Sequence, residues 1–212
     1  MLKLYDYELS GNCYKARLLL SILGLEHELV PVELFPAKEH RKSSFLAVNP
    51  LGQLPVLDDN GFVVRDSQAI LVYLACKYDE SGKWYPRDDA VRLAQMQMWL
   101  SFANEITATA SVARQVELFQ YDMDAVTARK KARELFTVID EHLWFAEKAG
   151  QQWLCTGEHP TIADLACFPY IMLSDEADIS LIDYPAIRRW TDRVKAIPGF
   201  STMSGIFSAA SN

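Results

Sequence analysis

Apolar positions in the N-terminal part of the chain alternate between strand-like and helix-like spacing. Residues 2–7 predict a short strand, and residues 12–24 carry apolar side chains at helical spacing, with Gly24 placed to end the helix. Residues 28–33 predict a second strand, so the chain opens with a β-α-β unit. A short helix is expected over residues 37–47.

The following segment predicts a hairpin and a third helix. Residues 55–58 and 62–65 have strand-like composition and flank an Asn-Gly pair, which is typical of tight hairpin turns. Asp66 or Ser67 then starts a helix. The predicted order is β-α-β-α-β-β-α, a parallel unit followed by an antiparallel hairpin and a helix. We therefore expect residues 1–79 to form an α+β domain of the thioredoxin-like kind.

Strand-like alternation ends before residue 88. Residues 80–88 contain Gly and Pro and are interpreted as a linker, and residues 89–212 are predicted to form an all-α, helical-bundle domain. Its first helix, residues 90–119, is apolar on two faces and is expected to be largely buried. Thr161 and Asp164 form a capping box at the start of a later helix, a structural feature. Further helices are expected at residues 125–149, 162–173 and 185–197.

Composition and charge argue against several kinds of partner for this chain. Half of the residues are apolar, as in a globular protein, and the net charge of −7 argues against a nucleic-acid partner. The longest apolar run is too short to span a membrane, and the first residues lack a signal peptide's apolar stretch. The four cysteines show neither Cys-x-x-Cys pairing nor zinc-like spacing. We therefore expect reduced thiols, no metal site, no membrane partner and a cytoplasmic protein.

Three segments carry candidate chemistry, and two of them surround the predicted hairpin. Residues 49–57 read Asn-Pro-Leu-Gly-Gln-Leu-Pro-Val-Leu, and taken alone Pro55 suits a turn before a strand. Asp66 and Ser67 follow eleven positions after that proline, at the predicted helix start. A helix N-terminus presents free N–H groups and a positive dipole end to a carboxylate, although both residues also suit an ordinary helix cap.

The third segment, Ser10-Gly-Asn-Cys, follows the first predicted strand and opens the first helix. At this spacing the three segments, together with the capping box at Thr161 and Asp164, resemble the cytosolic glutathione transferases, and the resemblance extends over essentially the whole chain. It is strongest in the first 80 residues and generic beyond them. The resemblance implies a thioredoxin-like domain that binds glutathione, followed by an all-helical domain.

The resemblance also implies how glutathione is held. In this family the proline at the position of Pro55 follows a cis peptide bond, which costs least before proline. That bond turns the backbone N–H and C=O of the preceding residue, here Leu54, toward the cysteinyl part of glutathione. Asp66 is implied to pair the γ-glutamyl ammonium, while Ser67 and the helix N-terminus bind the γ-glutamyl carboxylate.

Ser10 is the implied catalytic residue, as in the serine-using theta-, tau- and phi-like classes. Its hydroxyl would donate a hydrogen bond to the glutathione sulfur. A free thiol titrates near about 8.5 and is mostly protonated at neutral pH, so a donor aimed at the thiolate raises the population of the nucleophile. Asn12 is a second possible donor to the same sulfur.

Two other side chains compete with Ser10 for the sulfur chemistry. Cys13 also lies near the helix start, where thiols are activated, but a small buried residue is its alternative interpretation. Tyr7 is similar to the tyrosine of the alpha-, mu- and pi-like classes. Because the resemblance aligns that tyrosine with Asp6, Tyr7 is expected to point to the opposite face and is ranked below Ser10.

Further residues complete the predicted cleft. The resemblance implies that His40 and Gln53 contact the glycine carboxylate, while a solvated His40 remains the alternative. An apolar substrate pocket is expected between the domains, lined by Tyr14, Trp99 and Phe102, although aromatic residues at helical spacing also suit a core.

The resemblance implies a homodimeric enzyme that conjugates glutathione to apolar electrophiles, a detoxification reaction. A polar residue of the partner, Asn104 or Glu105, would reach the γ-glutamyl site. Two alternatives stay open: glutathione-dependent reduction of disulfides or peroxides, and a non-catalytic interaction protein of the same fold. Neither the substrate nor the transferase class follows from the sequence.

Overall fold

A mixed four-stranded sheet opens the computed structural model, which describes residues 1–208. The N-terminal elements are strand β1 (Leu2–Asp6), helix α1 (Gly11–Ile22), strand β2 (His27–Pro31), helix α2 (Ser43–Leu46), strands β3 (Val56–Asp59) and β4 (Phe62–Arg65), and helix α3 (Ser67–Tyr78). The strand order is β2-β1-β3-β4, with β1 and β2 parallel and β3 antiparallel to both β1 and β4. This arrangement confirms the predicted thioredoxin-like fold class.

The sheet separates two apolar layers. Leu4 and Leu57 pair across β1 and β3 and are fully buried in the core that contains α1 and α3. On the other face, Val32, Phe45 and Val56 form a smaller buried cluster beneath α2. The alternation of buried and half-buried positions along β1 follows from the two-residue period of a strand between these layers.

The predicted start and stop signals position these elements. Ser10 is the N-cap of α1, and Gly24 lies just beyond its end with φ +64°. Asn60 and Gly61 both have positive φ, as the two central residues of a tight hairpin require. The predicted helix over residues 37–47 is broken, because Lys42 is extended between a 3₁₀ turn at Glu39–Arg41 and helix α2.

Helices form the C-terminal half. They are α4 (Ala90–Ile106), a π-helical turn (Thr107–Ser111), α5 (Val112–Phe119), α6 (Ala125–Lys148), α7 (Ile162–Met172) and α8 (Pro185–Lys195). Helix α4, the π turn and α5 follow one another without a break, so the predicted helix over residues 90–119 has the right extent. A π turn inserts an extra residue into the helical repeat and shifts the faces that follow it.

The expectation that this long helix is largely buried is wrong for α4. One face, with Met96, Leu100 and Ala103, packs into the core against α7. The opposite face leaves Met98 70% exposed and Val91 66% exposed. Apolar residues on two faces predict burial only where both faces have a neighbour, and within residues 1–208 the outer face of α4 has none over Met98 and Val91.

Helix α7 is the centre of the helical half and joins it to the sheet. It is buried on nearly all sides and packs against α1, α3 and α4, so one core runs through both halves. The predicted capping box is confirmed: Thr161 N–H donates to Asp164 Oδ2 at 2.9 Å, and Thr161 Oγ1 accepts from the N–H of Ala163. Asp164 also accepts the indole N–H of Trp190 at 2.9 Å. None of the helices described here has the length and hydropathy needed to cross a bilayer.

Candidate functional site

A cleft of about 520 Å³ opens where the sheet meets the helical half. Its volume lies within the range of ligand pockets in proteins. One side consists of the segments around the starts of α1, β3 and α3, and the other consists of the π turn and α5. All eight residues that the sequence assigned to glutathione and its sulfur line this cleft: Ser10, Asn12, His40, Gln53, Leu54, Pro55, Asp66 and Ser67.

Ser10 lies at the first turn of α1, and its hydroxyl can accept one hydrogen bond from the helix while donating another. Its Oγ accepts the N–H of Cys13 at 3.2 Å, which caps the helix. A hydroxyl retains a hydrogen that rotates to suit a further acceptor, and the nearby sulfur of Cys13 is only a weak one. Ser10 can therefore cap the helix and donate into the cleft at once.

The start of α3 supplies the most strained backbone in the cleft. Asp66 has φ +77° and ψ +131°, a backbone conformation that residues other than glycine rarely adopt. Its Oδ1 accepts the N–H groups of Gln68 at 2.9 Å and Ala69 at 3.0 Å, which caps the helix. The carboxylate stays exposed and faces the cleft, so the cap and a ligand contact are compatible.

A polar network links the starts of α1 and α3 to α4. Ser67 Oγ lies 3.4 Å from Asn12 Oδ1 and forms a short hydrogen bond with Gln68 Oε1. Gln68 Nε2 donates to Asn104 Oδ1 at 2.6 Å. Asn104 thus lies in the cleft of its own chain and fixes the end of Gln68. The single hydroxyl hydrogen of Ser67 is donated to Gln68, and Asn12 retains its amide N–H groups as donors.

The segment before β3 forms the floor of the same side. The Leu54–Pro55 peptide bond is cis, as the resemblance predicts. Gly52 has φ +60°, and a Cβ there would lie 2.9 Å from the carbonyl oxygen of His40, so glycine allows the two backbones to approach. Nδ1 of His40 is buried without a hydrogen-bond partner among residues 1–208. Burial lowers the pKa of this histidine, and the charge of neighbouring Arg41 lowers it further.

Known proteins share both halves of this arrangement. Two family models match the chain, described as "Glutathione S-transferase, N-terminal domain" over residues 4–82 and "Glutathione S-transferase, C-terminal domain" over residues 100–198. Human glutathione S-transferase theta-2 is 31% identical over 180 residues, which cover 83% of this chain and 73% of the relative. The chain belongs to the glutathione S-transferase family.

Solved structures and other relatives agree with this membership. A glutathione S-transferase crystal structure from Xanthobacter autotrophicus Py2 superposes with a TM-score of 0.83 at 33% identity, covering 96% of this chain and 97% of that one. A maleylacetoacetate isomerase of Pseudomonas aeruginosa is 28% identical over 205 residues, 94% of this chain and 93% of the relative. Because similar proteins carry names of different reactions, the reaction of this glutathione S-transferase family member has to be argued from its cleft.

Cys13 competes poorly with Ser10 in this family member. Its side chain is fully buried, and burial raises the pKa of its thiol to about 12, with the charge of Asp6 acting in the same direction. The thiolate is the reactive form of cysteine, so a thiol held protonated and away from solvent is a poor nucleophile. The structure agrees with the interpretation of Cys13 as a small buried residue.

Tyr7, by contrast, lies in the cleft, and the expectation that it points to the opposite face is wrong. Strand β1 ends at Asp6, so the alternation of a strand no longer fixes the direction of the next side chain. Asp6 is buried against the guanidinium of Arg17 instead. Burial raises the pKa of the Tyr7 phenol, and the charge of Glu33 raises it further, so the phenol is a hydrogen-bond donor at neutral pH.

The predicted substrate pocket is also wrong, because none of its three aromatic residues lines the cleft. Tyr14 is fully buried, and its hydroxyl donates to the carbonyl of Ser201 at 2.6 Å. Trp99 packs edge-on against Phe102 and His142, with ring centroids 5.3 Å and 4.7 Å away. Trp99 and Phe102 lie on α4 and pack within the helical half, whereas Tyr14 lies on α1 and packs in the core that joins the two halves.

The wall opposite the glutathione side comes instead from the π turn, α5 and two loops. Phe35, Phe119 and Tyr121 form an aromatic cluster at this wall, with ring centroids between 5.7 and 6.3 Å apart. The remaining lining residues on this wall include the apolar Val112 and four polar side chains: Thr107, Ser111, Arg114 and Gln115. The Phe-Gln-Tyr sequence at the end of α5 was the only local signal for this wall. Residues 1–208 contain no group of three or more His, Cys, Asp or Glu side chains that could hold a metal ion.

Proposed function

We propose that this chain is a glutathione transferase that ionises the glutathione thiol and adds the thiolate to an apolar electrophile. The observation that carries this proposal is the position of the Ser10 hydroxyl. It lies in the same cleft as Leu54 and the Asp66–Ser67 helix start, with a hydrogen left to donate. A glutathione molecule that binds along Leu54 and the Asp66–Ser67 helix start has its sulfur at Ser10.

Each end of glutathione has a matching group in the cleft. The γ-glutamyl carboxylate meets the N-terminus of α3 and the Ser67 hydroxyl, whose hydrogen turns from Gln68 to the ligand. The γ-glutamyl ammonium meets the exposed Asp66 carboxylate. The backbone of Leu54 pairs with the cysteinyl residue. The glycine carboxylate lies toward Gln53 and toward His40, whose buried Nδ1 has no hydrogen-bond partner in the described part of the chain.

The sulfur chemistry is proposed for Ser10, supported by Asn12. A hydrogen bond from the Ser10 hydroxyl stabilises the thiolate relative to the thiol and lowers the thiol pKa. The N-terminus of α1 acts in the same direction. The thiol proton passes to solvent, the thiolate sulfur forms a bond to the electrophilic carbon, and the leaving group departs with the electron pair of the broken bond. Positioning of the two reactants adds to the rate.

The electrophile is proposed to lie against the wall formed by the π turn and α5, where the aromatic cluster offers an apolar surface. We also propose a homodimer, in keeping with the exposed apolar face of α4. A cytoplasmic location is proposed because all four cysteines are free. We also propose that the N-terminal domain ends at residue 79, that residues 80–88 are the linker, and that the helical domain begins at residue 89.

Calorimetric titration with glutathione, followed by assays with an aryl halide and with a mixed disulfide, tests the proposal. We expect binding, and conjugation that exceeds disulfide reduction. Binding with disulfide reduction alone would favour the reductase alternative, and absence of binding would favour a non-catalytic protein. Because a similar protein is a maleylacetoacetate isomerase, isomerisation of maleylacetoacetate is a second candidate reaction and belongs in the same panel.

A further inference from the structure

One guanidinium lies on the wall that faces the glutathione side, that of Arg114 on α5. Its side chain is only 5% exposed. Nε donates to the carboxylate of Glu176, and Nη1 donates to the carbonyl of Leu9 at 2.7 Å. Leu9 immediately precedes Ser10, so Arg114 is attached to the loop that carries the proposed catalytic hydroxyl. Within residues 1–208, Nη2 has no hydrogen-bond partner.

An unpaired buried donor is unfavourable, because it loses its bonds to water without replacing them. Arg92 and Arg193 also have unpartnered guanidinium nitrogens, but neither lines the cleft. Arg114 differs from them because Glu176 and Leu9 fix its orientation at the edge of a ligand-sized space. With Nε bonded to Glu176 and Nη1 bonded to Leu9, Nη2 is the donor left for an anionic group of a ligand.

Glu176 pairs with Arg114 from outside the cleft, whereas the cleft lining around Arg114 supplies further donors. Tyr7, Ser111 and Gln115 line the same wall, and the charge of Arg114 acts on the Tyr7 phenol. Glu33 and Glu8 also act on that phenol, but neither lines the cleft. Within the described part of the chain, Asp66 is the sole carboxylate of the cleft lining, and it belongs to the glutathione side.

The same wall also has an apolar part. Phe35 and Phe119 lie 5.7 Å apart between ring centroids, and Tyr121 lies within 6.3 Å of both. Phe35 is 42% exposed, so a ligand that covers this ring removes apolar surface from water. The wall therefore combines an aromatic surface with a fixed cation.

We propose that the electrophile bound by this wall carries a carboxylate, which pairs with Nη2 of Arg114 while an aromatic body packs against Phe35 and Phe119. This inference rests on the proposed function, because it names the substrate class of the same cleft. With a chloroaryl carboxylate, the glutathione sulfur forms a C–S bond and chloride leaves with the electrons of the C–Cl bond. The thiol proton goes to solvent, and the carboxylate is unchanged.

The test compares a chloronitrobenzoate with the matching chloronitrobenzamide, each rate being divided by the uncatalysed rate with glutathione. The parent should prefer the benzoate. Arg114→Gln should lower kcat/KM for the benzoate by about 10- to 100-fold more than for the benzamide, since a hydrogen bond to a charged group is lost only with the benzoate. Loss of the bond to the Leu9 carbonyl, next to Ser10, should affect both substrates alike. Arg92→Gln is the matched control, on the same long helix and away from the cleft, and should leave both rates unchanged.

Binding of unreactive nitrobenzoate and nitrobenzamide separates this inference from the proposed conjugation. If neither chloro compound is conjugated but nitrobenzoate still binds in an Arg114-dependent way, the proposed function fails and the anion site stands. If both are conjugated without preference, or Arg114→Gln lowers both rates equally, the carboxylate site is wrong. Should Arg114→Gln not fold, Arg114→Lys keeps a cation beside Glu176 but loses the guanidinium fork, and it should still lower the benzoate preference.

Discussion

The two sides of the cleft differ in how the chain builds them. The glutathione side consists of three short segments, each at the start of a helix or strand, with local signals such as a cap, a glycine and a proline. The opposite wall consists of side chains from the middle and end of a long helix, together with two loop residues, Phe35 and Tyr121. The first side is defined by backbone geometry and the second by tertiary packing.

This difference explains why one side could be predicted and the other could not. Caps and turn residues act within a few positions of one another, so their geometry is encoded locally. On the other wall, the π turn at Thr107–Ser111 shifts which faces of the helix meet the cleft. A regular helical repeat therefore selected Trp99 and Phe102, whereas the side chains after the π turn line the cleft.

The largest effect is expected on the glutathione side, from Asp66→Ala. Loss of a charge-assisted hydrogen bond of about 1.5–3 kcal/mol should weaken glutathione binding by roughly 10- to 100-fold, measured by calorimetry. Asp124→Ala is the matched control, because Asp124 caps α6 through the N–H of Thr127 at 3.0 Å and lies away from the cleft. Ser67→Ala should weaken binding in the same way. Unchanged affinity in both cleft variants would show that this helix start does not bind the γ-glutamyl group.

The next largest effect is expected from Ser10→Ala, which should change the rate of conjugation and not the binding of glutathione. Ser10→Ala should lower kcat/KM for conjugation at neutral pH by about tenfold or more, with glutathione affinity nearly unchanged, because the hydroxyl contacts glutathione only at its sulfur. Its loss raises the thiol pKa, so the deficit should shrink as the pH rises and the thiol ionises unaided. Ser10→Thr retains a hydroxyl and should recover activity. A deficit that stays constant across pH would argue for a structural role of this cap.

On the opposite wall, a single truncation should have a smaller and more selective effect. Phe119→Ala removes one ring of the aromatic cluster, and the partial burial of that ring limits the loss to about 1 kcal/mol, or roughly fivefold in KM for an aromatic electrophile. Glutathione affinity should stay at the parent value. If KM for the electrophile and the Kd for glutathione changed by the same factor, the two sides of the cleft would not be separate in function.

The smallest effect is expected from Tyr14→Phe. The hydroxyl of Tyr14 donates to the carbonyl of Ser201, so its loss should cost about 0.5–1.5 kcal/mol of unfolding free energy in a urea titration. KM for the electrophile should not change, because Tyr14 is fully buried. A shift in KM without a loss of stability would restore Tyr14 to the substrate pocket.

The sequence predicted the order of strands and helices, the capping box at Thr161, and the residues that meet on the glutathione side. It did not predict the direction of Tyr7, because β1 ends one residue earlier and the alternation rule no longer applies there. Nor did it predict Arg114 in the cleft, since its position depends on Glu176 and Leu9, which are distant in sequence. Such contacts exist only after the two halves have packed together.

The most direct test of the account is a pH titration of the thiol of bound glutathione, followed by the ultraviolet absorbance of the thiolate. In the parent protein this thiol should titrate below the value of about 8.5 for a free cysteine thiol. In Ser10→Ala its pKa should rise toward that value, and in Cys13→Ser it should stay near the parent value. A bound thiol that titrates like the free one, or a pKa that rises in Cys13→Ser and not in Ser10→Ala, would contradict the assignment of the sulfur chemistry to Ser10.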